Sequence, residues 1–272
     1  MFDTITLGQY YQTDSLLHRL DPRVKLVGTF VYLISLFVVD SFVGYIAAAL
    51  FLAAMIMLSN VPFRYIVRGM KTIVFLLLIT VVFNLFLTPG EVIWHAGIFK
   101  ITREGLTFAI KMAVRLSLLI LGSSIMTLTT TPTQLTDALE SLLRPLKKVH
   151  VPVHEIAMMM SIALRFIPIL MEETDKIMKA QMARGADFES RNLIKKVRSL
   201  IPILVPLFVS AFRRANDLAM AMEARCYRGG EGRTKMKPLV YQKRDRIAQL
   251  ILLLFFAATI GIRAAGHWVP VI

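Results

Sequence analysis

Several polar side chains of this 272-residue chain stand at spacings that could support chemistry. His150 and His154 are four residues apart, which on one continuous helix would place two metal ligands on the same face. A proline lies between them, and the sequence reads His-Glu-Ile-Ala-Met rather than H-E-x-x-H, so we interpret both as interfacial polar residues. Cys226 has Arg225 and Arg228 close by, a setting that can lower a thiol pKa. We interpret this cysteine as a small packing residue.

Three further polar residues interrupt long apolar segments. Ionisable groups within a membrane are costly and call for a functional or structural reason. Lys111 lies near the end of its segment and can extend to the interface, whereas Arg115 lies deeper. Arg115 therefore needs either a partner on a neighbouring helix or a site that faces a membrane partner, and we favour the structural partner. For Asn84 we predict a hydrogen bond to a neighbouring helix.

The composition indicates that these residues belong to a multi-span membrane protein. Apolar residues are 56% of the chain and charged residues only 18%, and the mean hydropathy is +0.62. The 32 Lys and Arg residues outnumber the 18 Asp and Glu residues, giving a net charge of +14. These values exclude a disordered chain and a soluble globular domain. The single cysteine excludes an intrachain disulfide framework.

Five stretches are long and apolar enough to cross a bilayer, which takes about 20 residues. The stretch 26–58 is too long for one span, so Asp40 and Ser41 are predicted to form a tight turn between two. The other three predicted spans are residues 66–88, 105–130 and 247–268.

The segment 131–246 differs from the rest, because it holds 21 of the 32 basic residues and 12 of the 18 acidic ones. Its apolar runs, 156–171 and 199–212, would force the basic residues at 191–198 to the outside if both crossed the bilayer. Cytoplasmic loops are the ones that carry excess Lys and Arg, so we interpret both runs as helices at the cytoplasmic interface. The N-terminus is then inside. The predicted domains are residues 1–130 with four spans, 131–245 in the cytoplasm, and 246–272 with the last span.

The cytoplasmic segment is predicted to form three helices. Thr131 and Gln134 have the spacing of a capping box that opens the first. The second and third run from about residue 153 to 183 and from about 192 to 225. Both end in a segment rich in Ala, Met and charge, and the two ends match at an offset of 41 residues. Small side chains let helices approach closely, so we predict that these two helices cross and form a paired binding device.

These ends, together with the N-terminal segment, resemble one family: the T component, or transmembrane coupling subunit, of energy-coupling factor (ECF) transporters. The resemblance extends over essentially the whole chain and implies an all-α membrane protein. Matching segments are residues 15–26, residues 163–168 (Ala-Leu-Arg-Phe-Ile-Pro), Glu172 and Glu173. The two Ala-Arg-Gly-type motifs of the family fall on Ala183, Arg184, Gly185, Ala224, Arg225 and Cys226. Cysteine takes the place of the third small residue in the second motif.

The resemblance implies a non-enzymatic subunit of an importer for vitamins or transition-metal ions in the prokaryotic cell membrane. Two ABC-type ATPase subunits would bind ATP and dock on the coupling helices, with one arginine motif contacting each. A separate membrane-embedded S component would bind the substrate. No G-x-x-x-x-G-K-[ST] segment occurs in the chain, in keeping with ATP binding by the partners. No cofactor or metal of its own is expected.

Two other functions fit parts of the sequence. An interfacial membrane enzyme acting on lipids would need a convergent set of His, Asp or Glu side chains. Here the acidic residues mostly lie among basic ones. A protein that binds nucleic acid or anionic lipid through the basic segment is the other alternative. The positive-inside bias already accounts for that charge, and the segment lacks interleaved aromatic residues, so no nucleic-acid partner is expected.

Overall fold

The chain folds almost entirely into α-helices. The computed structural model describes residues 10–96, 99–186, 193–230, 236 and 238–268. The segment that follows Ala186, with Arg191, lies outside these residues. The α-helices are α1 Pro22–Val38, α2 Phe42–Ser59, α3 Phe63–Leu87, α4 Arg103–Thr129, α5 Pro132–Leu143, α6 Val153–Ala183, α7 Leu193–Ala224 and α8 Lys243–Trp268. A β-hairpin, β1 Val92–Ala96 and β2 Phe99–Thr102, lies between α3 and α4, and a 3₁₀ turn at Arg144–Val149 follows α5.

The helix boundaries follow local signals in the sequence. The predicted turn at Asp40 and Ser41 is confirmed: the Ser41 hydroxyl accepts a hydrogen bond from the backbone N–H of Gly44 at 3.2 Å and caps α2. The capping box at α5 is confirmed as well. The backbone N–H of Thr131 donates to the side chain of Gln134 at 3.2 Å, and the N–H of Gln134 donates to the Thr131 hydroxyl at 3.3 Å.

The helices group into two compact units. Among the described residues, one unit comprises residues 10–138 and 239–268, and the other comprises those between 139 and 238. In the first unit α1 packs on α4 and α8, α2 packs on the same two helices, and α3 lies along α4. Its core is apolar and includes the fully buried Leu36 and Ala48. In the second unit α6 packs on α7.

Four helices among the described residues have the length and composition of membrane spans: α2, α4, α6 and the Lys243–Ala264 part of α8. Helix α3 adds a shorter apolar run, Ile73–Phe86. The chain is thus an all-α membrane protein. Length and composition do not separate α6 from the spans, although we interpreted its apolar part as interfacial. Only the charge distribution separates them, so the five-span topology stays a prediction.

A β-hairpin occupies part of the loop 89–104, for which we predicted no structure. Strands β1 and β2 pair antiparallel, and the N–H of Arg103 donates to the carbonyl of Glu91 at 2.9 Å. The β-branched and aromatic residues of both strands favour extended backbone, a signal that sequence reasoning passed over.

Arg115 has the structural partners that we favoured. From α4, its guanidinium donates to the hydroxyl of Tyr45 at 2.9 Å and to the carbonyl of Val39 at 3.0 Å, and it lies 3.4 Å from Asp40. It therefore ties α4 to the turn between α1 and α2. The prediction for Asn84 was wrong, because its amide donates to the carbonyl of Thr80 in its own helix at 2.7 Å.

Candidate coupling site

Helices α6 and α7 carry the predicted site residues, and they pack antiparallel. The amide of Gln181, near the end of α6, donates to the carbonyl of Pro202 in the first third of α7 at 3.3 Å. Glu173, two turns earlier in α6, instead contacts Ser210 and Arg214, which lie later in α7. Residues that lie earlier in α6 thus contact residues that lie later in α7, as in an antiparallel pair. The C-terminal ends of the two helices therefore lie at opposite ends of the pair.

The end of α6 is closed by three backbone hydrogen bonds. The N–H groups of Arg184 and Ala186 donate to the carbonyl of Gln181 at 3.1 and 3.0 Å, and the N–H of Gly185 donates to that of Met182 at 3.0 Å. Gly185 has a φ of +87°, in the left-handed region. This is the Schellman arrangement, which satisfies carbonyls left free at the helix end.

The end of α7 has the same arrangement, shifted by 41 residues. The N–H groups of Arg225 and Tyr227 donate to the carbonyl of Met222 at 3.2 and 3.0 Å, and the N–H of Cys226 donates to that of Glu223 at 2.8 Å. The offset read from the sequence thus coincides with an equivalence of backbone structure. Arg184 and Arg225 occupy the same position in two equivalent helix ends.

The third position of each motif is defined by its backbone conformation. Cys226 has a φ of +55°, so it adopts the left-handed conformation of Gly185 at the equivalent position. A Cβ atom added at Gly185 would meet nothing within 4 Å. The position therefore favours glycine for its freedom at positive φ and not for lack of space. Cysteine keeps the turn and accepts the strain of that conformation.

Both arginines are exposed and lack partners in the part of the chain that the structure describes. Arg184 and Arg225 are exposed, as are Ala183 and Ala224 before them, and neither guanidinium has a hydrogen-bond or ion-pair partner among the described residues. An exposed guanidinium keeps five donors free in a fixed planar arrangement, which suits the recognition of carboxylates and backbone carbonyls.

A polar cluster lies midway between these ends. The carboxylate of Glu173 accepts hydrogen bonds from the hydroxyl of Ser210 at 2.5 Å and from the guanidinium of Arg214 at 2.8 Å. The family resemblance singled out Glu173, but sequence reasoning missed both partners. The 41-residue offset carries the signal, since it maps Glu173 onto Arg214. Arg184 and Arg225 each lie eleven residues beyond their member of this pair, about 16 Å along the helix.

Helix α7 also presents an apolar stripe that its neighbours leave uncovered. Ile201, Val205, Phe208 and Phe212 recur at helical spacing, and each is more than half exposed. Exposed apolar side chains in a continuous row indicate an interaction surface for a protein or a membrane.

Residues 15–26 connect the start of α1 to the end of α4 and the start of α8 in the first unit. The buried ammonium of Lys25 in α1 donates to the carbonyls of His18 and Thr129 at 3.1 and 2.9 Å, which joins α1 to the end of α4. The backbone N–H of Asp21 donates to the carboxylate of Asp245 at 2.9 Å, which joins it to the start of α8. This segment therefore holds three chain segments together that are far apart in sequence.

The surroundings shift the pKa values of two titratable groups in residues 15–26. Burial raises the pKa of Asp21, but hydrogen bonds from the side chain and backbone of Arg23 lower it by more, so the pKa lies below its ordinary value. Burial lowers the pKa of His18. Its Nε2–H donates to the carbonyl of Tyr11 at 3.1 Å and its Nδ1 accepts from the hydroxyl of Ser15 at 2.7 Å, both of which suit the neutral ring.

His150 and His154, whose spacing first drew attention, are not joined at one site. His154 lies 2.9 Å from the carboxylate of Glu140, while His150 ends the 3₁₀ turn in a left-handed conformation. Within the described ranges, no group of three or more His, Cys, Asp or Glu side chains could hold a metal ion.

Comparison with known proteins gives one consistent result. A family model described as "Cobalt transport protein" (CbiQ) matches residues 13–236. Three relatives share the name "Energy-coupling factor transporter transmembrane protein EcfT" and come from Clostridium kluyveri, Ruminiclostridium cellulolyticum and Bacillus subtilis. The first is 56% identical, with 96% of this chain and 97% of the relative aligned. The second is 53% identical, over 94% and 96%. The third is 47% identical, over 97% and 100%.

The match runs nearly end to end in both directions, so it describes the chain as a whole and not one shared segment. It includes α6 and α7 with both arginine-bearing ends. The sequence resemblance and these similarities agree, and the chain belongs to the family of energy-coupling factor transporter transmembrane proteins, the T components of these transporters.

Proposed function

We propose that this chain couples ATP hydrolysis by two cytoplasmic ATPase subunits to the release of substrate by a membrane-embedded S component. One observation carries the proposal: α6 and α7 end in equivalent turns that each display an exposed arginine with no partner among the described residues. Two equivalent ends at opposite extremes of one antiparallel pair suit two equivalent partners. The chain itself is then not an enzyme, and the two ATPases bind the nucleotide.

The contact between each end and its ATPase rests on the chemistry of arginine. A guanidinium stays charged at all physiological pH values and makes several directed hydrogen bonds at once. The small residues beside Arg184 and Arg225 let the partner's surface approach closely. Truncating one member of a buried, hydrogen-bonded charge pair at an interface costs about 2–5 kcal/mol. We therefore assign residues 183–185 and 224–226 to the two ATPase contacts.

The S component is proposed to pack on the apolar stripe of α7. A partner that lives in the membrane presents apolar surface, and the stripe formed by Ile201, Val205, Phe208 and Phe212 offers a matching one. Movement of the ATPase at the Arg225 end would then reach the S component along a single helix, because the stripe and that end both belong to α7.

The arginine assignment is tested by assembly and uptake assays on Arg184→Ala, Arg225→Ala and the double variant. Each single variant should weaken ATPase docking, and the double variant should nearly abolish transport while leaving the amount of folded protein in the membrane unchanged. Arg213→Ala is the matched control, since Arg213 is exposed on α7 but distant from its end. A double variant that assembles and transports like the parent would refute the assignment.

The same proposal places residues 131–245 in the cytoplasm, and the chain's single cysteine provides a direct test. Cys226 is exposed in the isolated chain, so in cells that lack the ATPase subunits a membrane-impermeant maleimide should label it only after the cells are permeabilised. Labelling of intact cells would contradict the topology. The alternative of an interfacial enzyme acting on lipids is not favoured by the family assignment. It would require activity from the isolated chain.

A further inference from the structure

A cavity of about 520 Å³ opens in the first unit between α1, α2, α4 and α8. One end of the cavity, here called the mouth, lies where α1 and α8 begin and where α2 and α4 end. The charge pattern of the sequence assigns this end to the cytoplasmic side. The residues at the mouth are Lys25, Leu58, Thr129 and Arg244. Leu16, Leu17 and Leu20 also line the cavity, and its exposed lining residues include Leu58 of α2 and Ile247 and Ile251 of α8.

The cavity runs into the bundle for about two helical turns, or roughly 11 Å. This depth is the same along all four helices, because each has one lining residue at the mouth and another seven or eight positions further into the bundle. The deep residues are Tyr32, Phe51, Gly122 and Leu252. A volume of this size is within the range of pockets that hold a small ligand, and the walls are predominantly apolar.

One of the deep lining residues carries a polar atom that has no partner among the described residues. Tyr32 is 4% exposed, and its hydroxyl makes no hydrogen bond within the described residues. Its ring is held in place, because it stacks at 6.1 Å from the rings of Phe51 and Phe255 and lies against Gly122. Buried hydroxyls almost always find a partner, and leaving one unpaired is costly. An oxygen supplied by a ligand would satisfy it.

Two cationic side chains lie at the mouth of the cavity. The ammonium of Lys25 donates to two backbone carbonyls and keeps a third donor, and the buried Nε of Arg244 has no partner among the described residues. Two carboxylates lie near enough to act electrostatically on Lys25. Asp21 accepts hydrogen bonds from Arg23, and Asp245 accepts from the backbone N–H groups of Asp21 and Gln242. Within the described ranges, neither cation at the mouth forms an ion pair.

We propose that this cavity is a binding site for one anionic glycerophospholipid of the cytoplasmic leaflet. Basic pockets between transmembrane helices on the cytoplasmic side suit anionic lipid headgroups. The phosphate would lie by Lys25 and Arg244, and an acyl chain would follow the apolar walls inward. Long side chains of a helix lean towards its N-terminus, which would bring the Tyr32 hydroxyl back towards the mouth and within reach of an ester carbonyl below the headgroup. A free fatty acid offers an anionic head and a chain but lacks this second acceptor.

The test uses the whole chain in its transporter complex, purified in detergent and analysed by native mass spectrometry after titration with phosphatidylglycerol. The parent should retain one phosphatidylglycerol per chain in preference to phosphatidylcholine or palmitate. Arg244→Gln removes one charge-assisted hydrogen bond and should weaken retention about tenfold. Tyr32→Phe should reduce the preference for phosphatidylglycerol over palmitate. Arg246→Gln is the control, because Arg246 is exposed in the same turn and does not line the cavity.

A second pair of variants tests the cavity without touching its charges. Gly28 lines the wall, and a Cβ atom there would meet only the Leu252 side chain at ordinary distances of 3.8 and 3.9 Å. Gly28→Ala should leave lipid retention unchanged, whereas Gly28→Phe should fill the cavity and abolish it. Retention that is equal for phosphatidylcholine, or that survives both Arg244→Gln and Gly28→Phe in folded complexes, would overturn the proposal.

Discussion

Replacing Glu173 by glutamine should change the distance between the two arginine-bearing helix ends. Glu173 accepts hydrogen bonds from Ser210 and Arg214 across the α6–α7 contact, and the substitution removes the charge that holds them. The offset of 41 residues makes Glu173 and Arg214 equivalent positions of the two helices, so their pair lies midway between the two arginine-bearing ends. The pair anchors the helices to each other at this point, and its loss would let the contact slide and the crossing angle change.

The magnitude follows from the geometry of the pair. The side chains of Arg214 and Glu173 are 41% and 23% exposed, so the ion pair stabilises the fold by only about 1 kcal/mol or less. The variant should therefore stay folded. Each arginine lies about 16 Å along its helix from the pair. Crossing angles of packed helices scatter by about 15–20°, and over a 16 Å arm such a change displaces each end by about 4–6 Å.

The assay is a distance measurement between spin labels by pulsed electron resonance. Cys226 is the only cysteine of the chain, and Gly185→Cys introduces its counterpart at the end of α6. Labels at these two positions report the separation of the ends in the purified chain, without ATPases. Glu173→Gln should broaden the distance distribution or shift it by several ångströms.

The matched control is Glu172→Gln, an exposed neighbour that takes no part in the pair. The charge-exchanged variant, Glu173→Arg with Arg214→Glu, should restore a narrow distribution. A Glu173→Gln distribution that coincides with the parent's would refute the reasoning and leave the pair as an ordinary surface contact. This outcome would not bear on ATPase docking, which is measured separately.

Three further predictions concern local structure. Cys226→Gly should raise the free energy of unfolding in detergent by about 1 kcal/mol, because glycine removes the strain of the left-handed conformation. Gly185→Ala should lower the free energy of unfolding. Equal unfolding midpoints for the parent and both variants would contradict this prediction. Arg115→Met should destabilise the chain by about 2 kcal/mol, since it leaves buried partners unpaired, while Lys111→Met, the control, should have little effect on the thermal midpoint. The folded state depresses the pKa of His18, so the contribution of His18 to stability is complete above pH ~6.5 and is lost as the pH falls through the folded-state pKa. His18→Gln should flatten that part of the profile of unfolding free energy against pH. An unchanged profile would exclude His18 as the source of this pH dependence.

Much of the secondary structure could be predicted from the sequence because its causes are local. Hydropathy and periodicity gave α6 and α7 to within a residue at each end. The capping pair Thr131 and Gln134 marked the start of α5, and Asp40 with Ser41 marked the break between α1 and α2. Each signal involves groups a few residues apart, whose hydrogen bonds do not depend on the rest of the fold.

The family and the paired helix ends were also present in the sequence. The repeat of Ala183 and Arg184 at a distance of 41 residues needs no structure to be seen. The role of the third motif position did need it: Gly185 and Cys226 differ chemically, and only their shared positive φ explains why both fit.

Contacts between distant segments were decided by the tertiary structure alone. The sequence left Arg115 with two interpretations until packing brought it to Val39 and Tyr45. The buried ammonium of Lys25 meets the carbonyl of Thr129, more than a hundred residues away, and no local pattern encodes that distance. A periodic pattern states which face of a helix is apolar, but the neighbour that covers it depends on how all the helices pack. The partner of a buried polar group is therefore fixed only when the chain has folded.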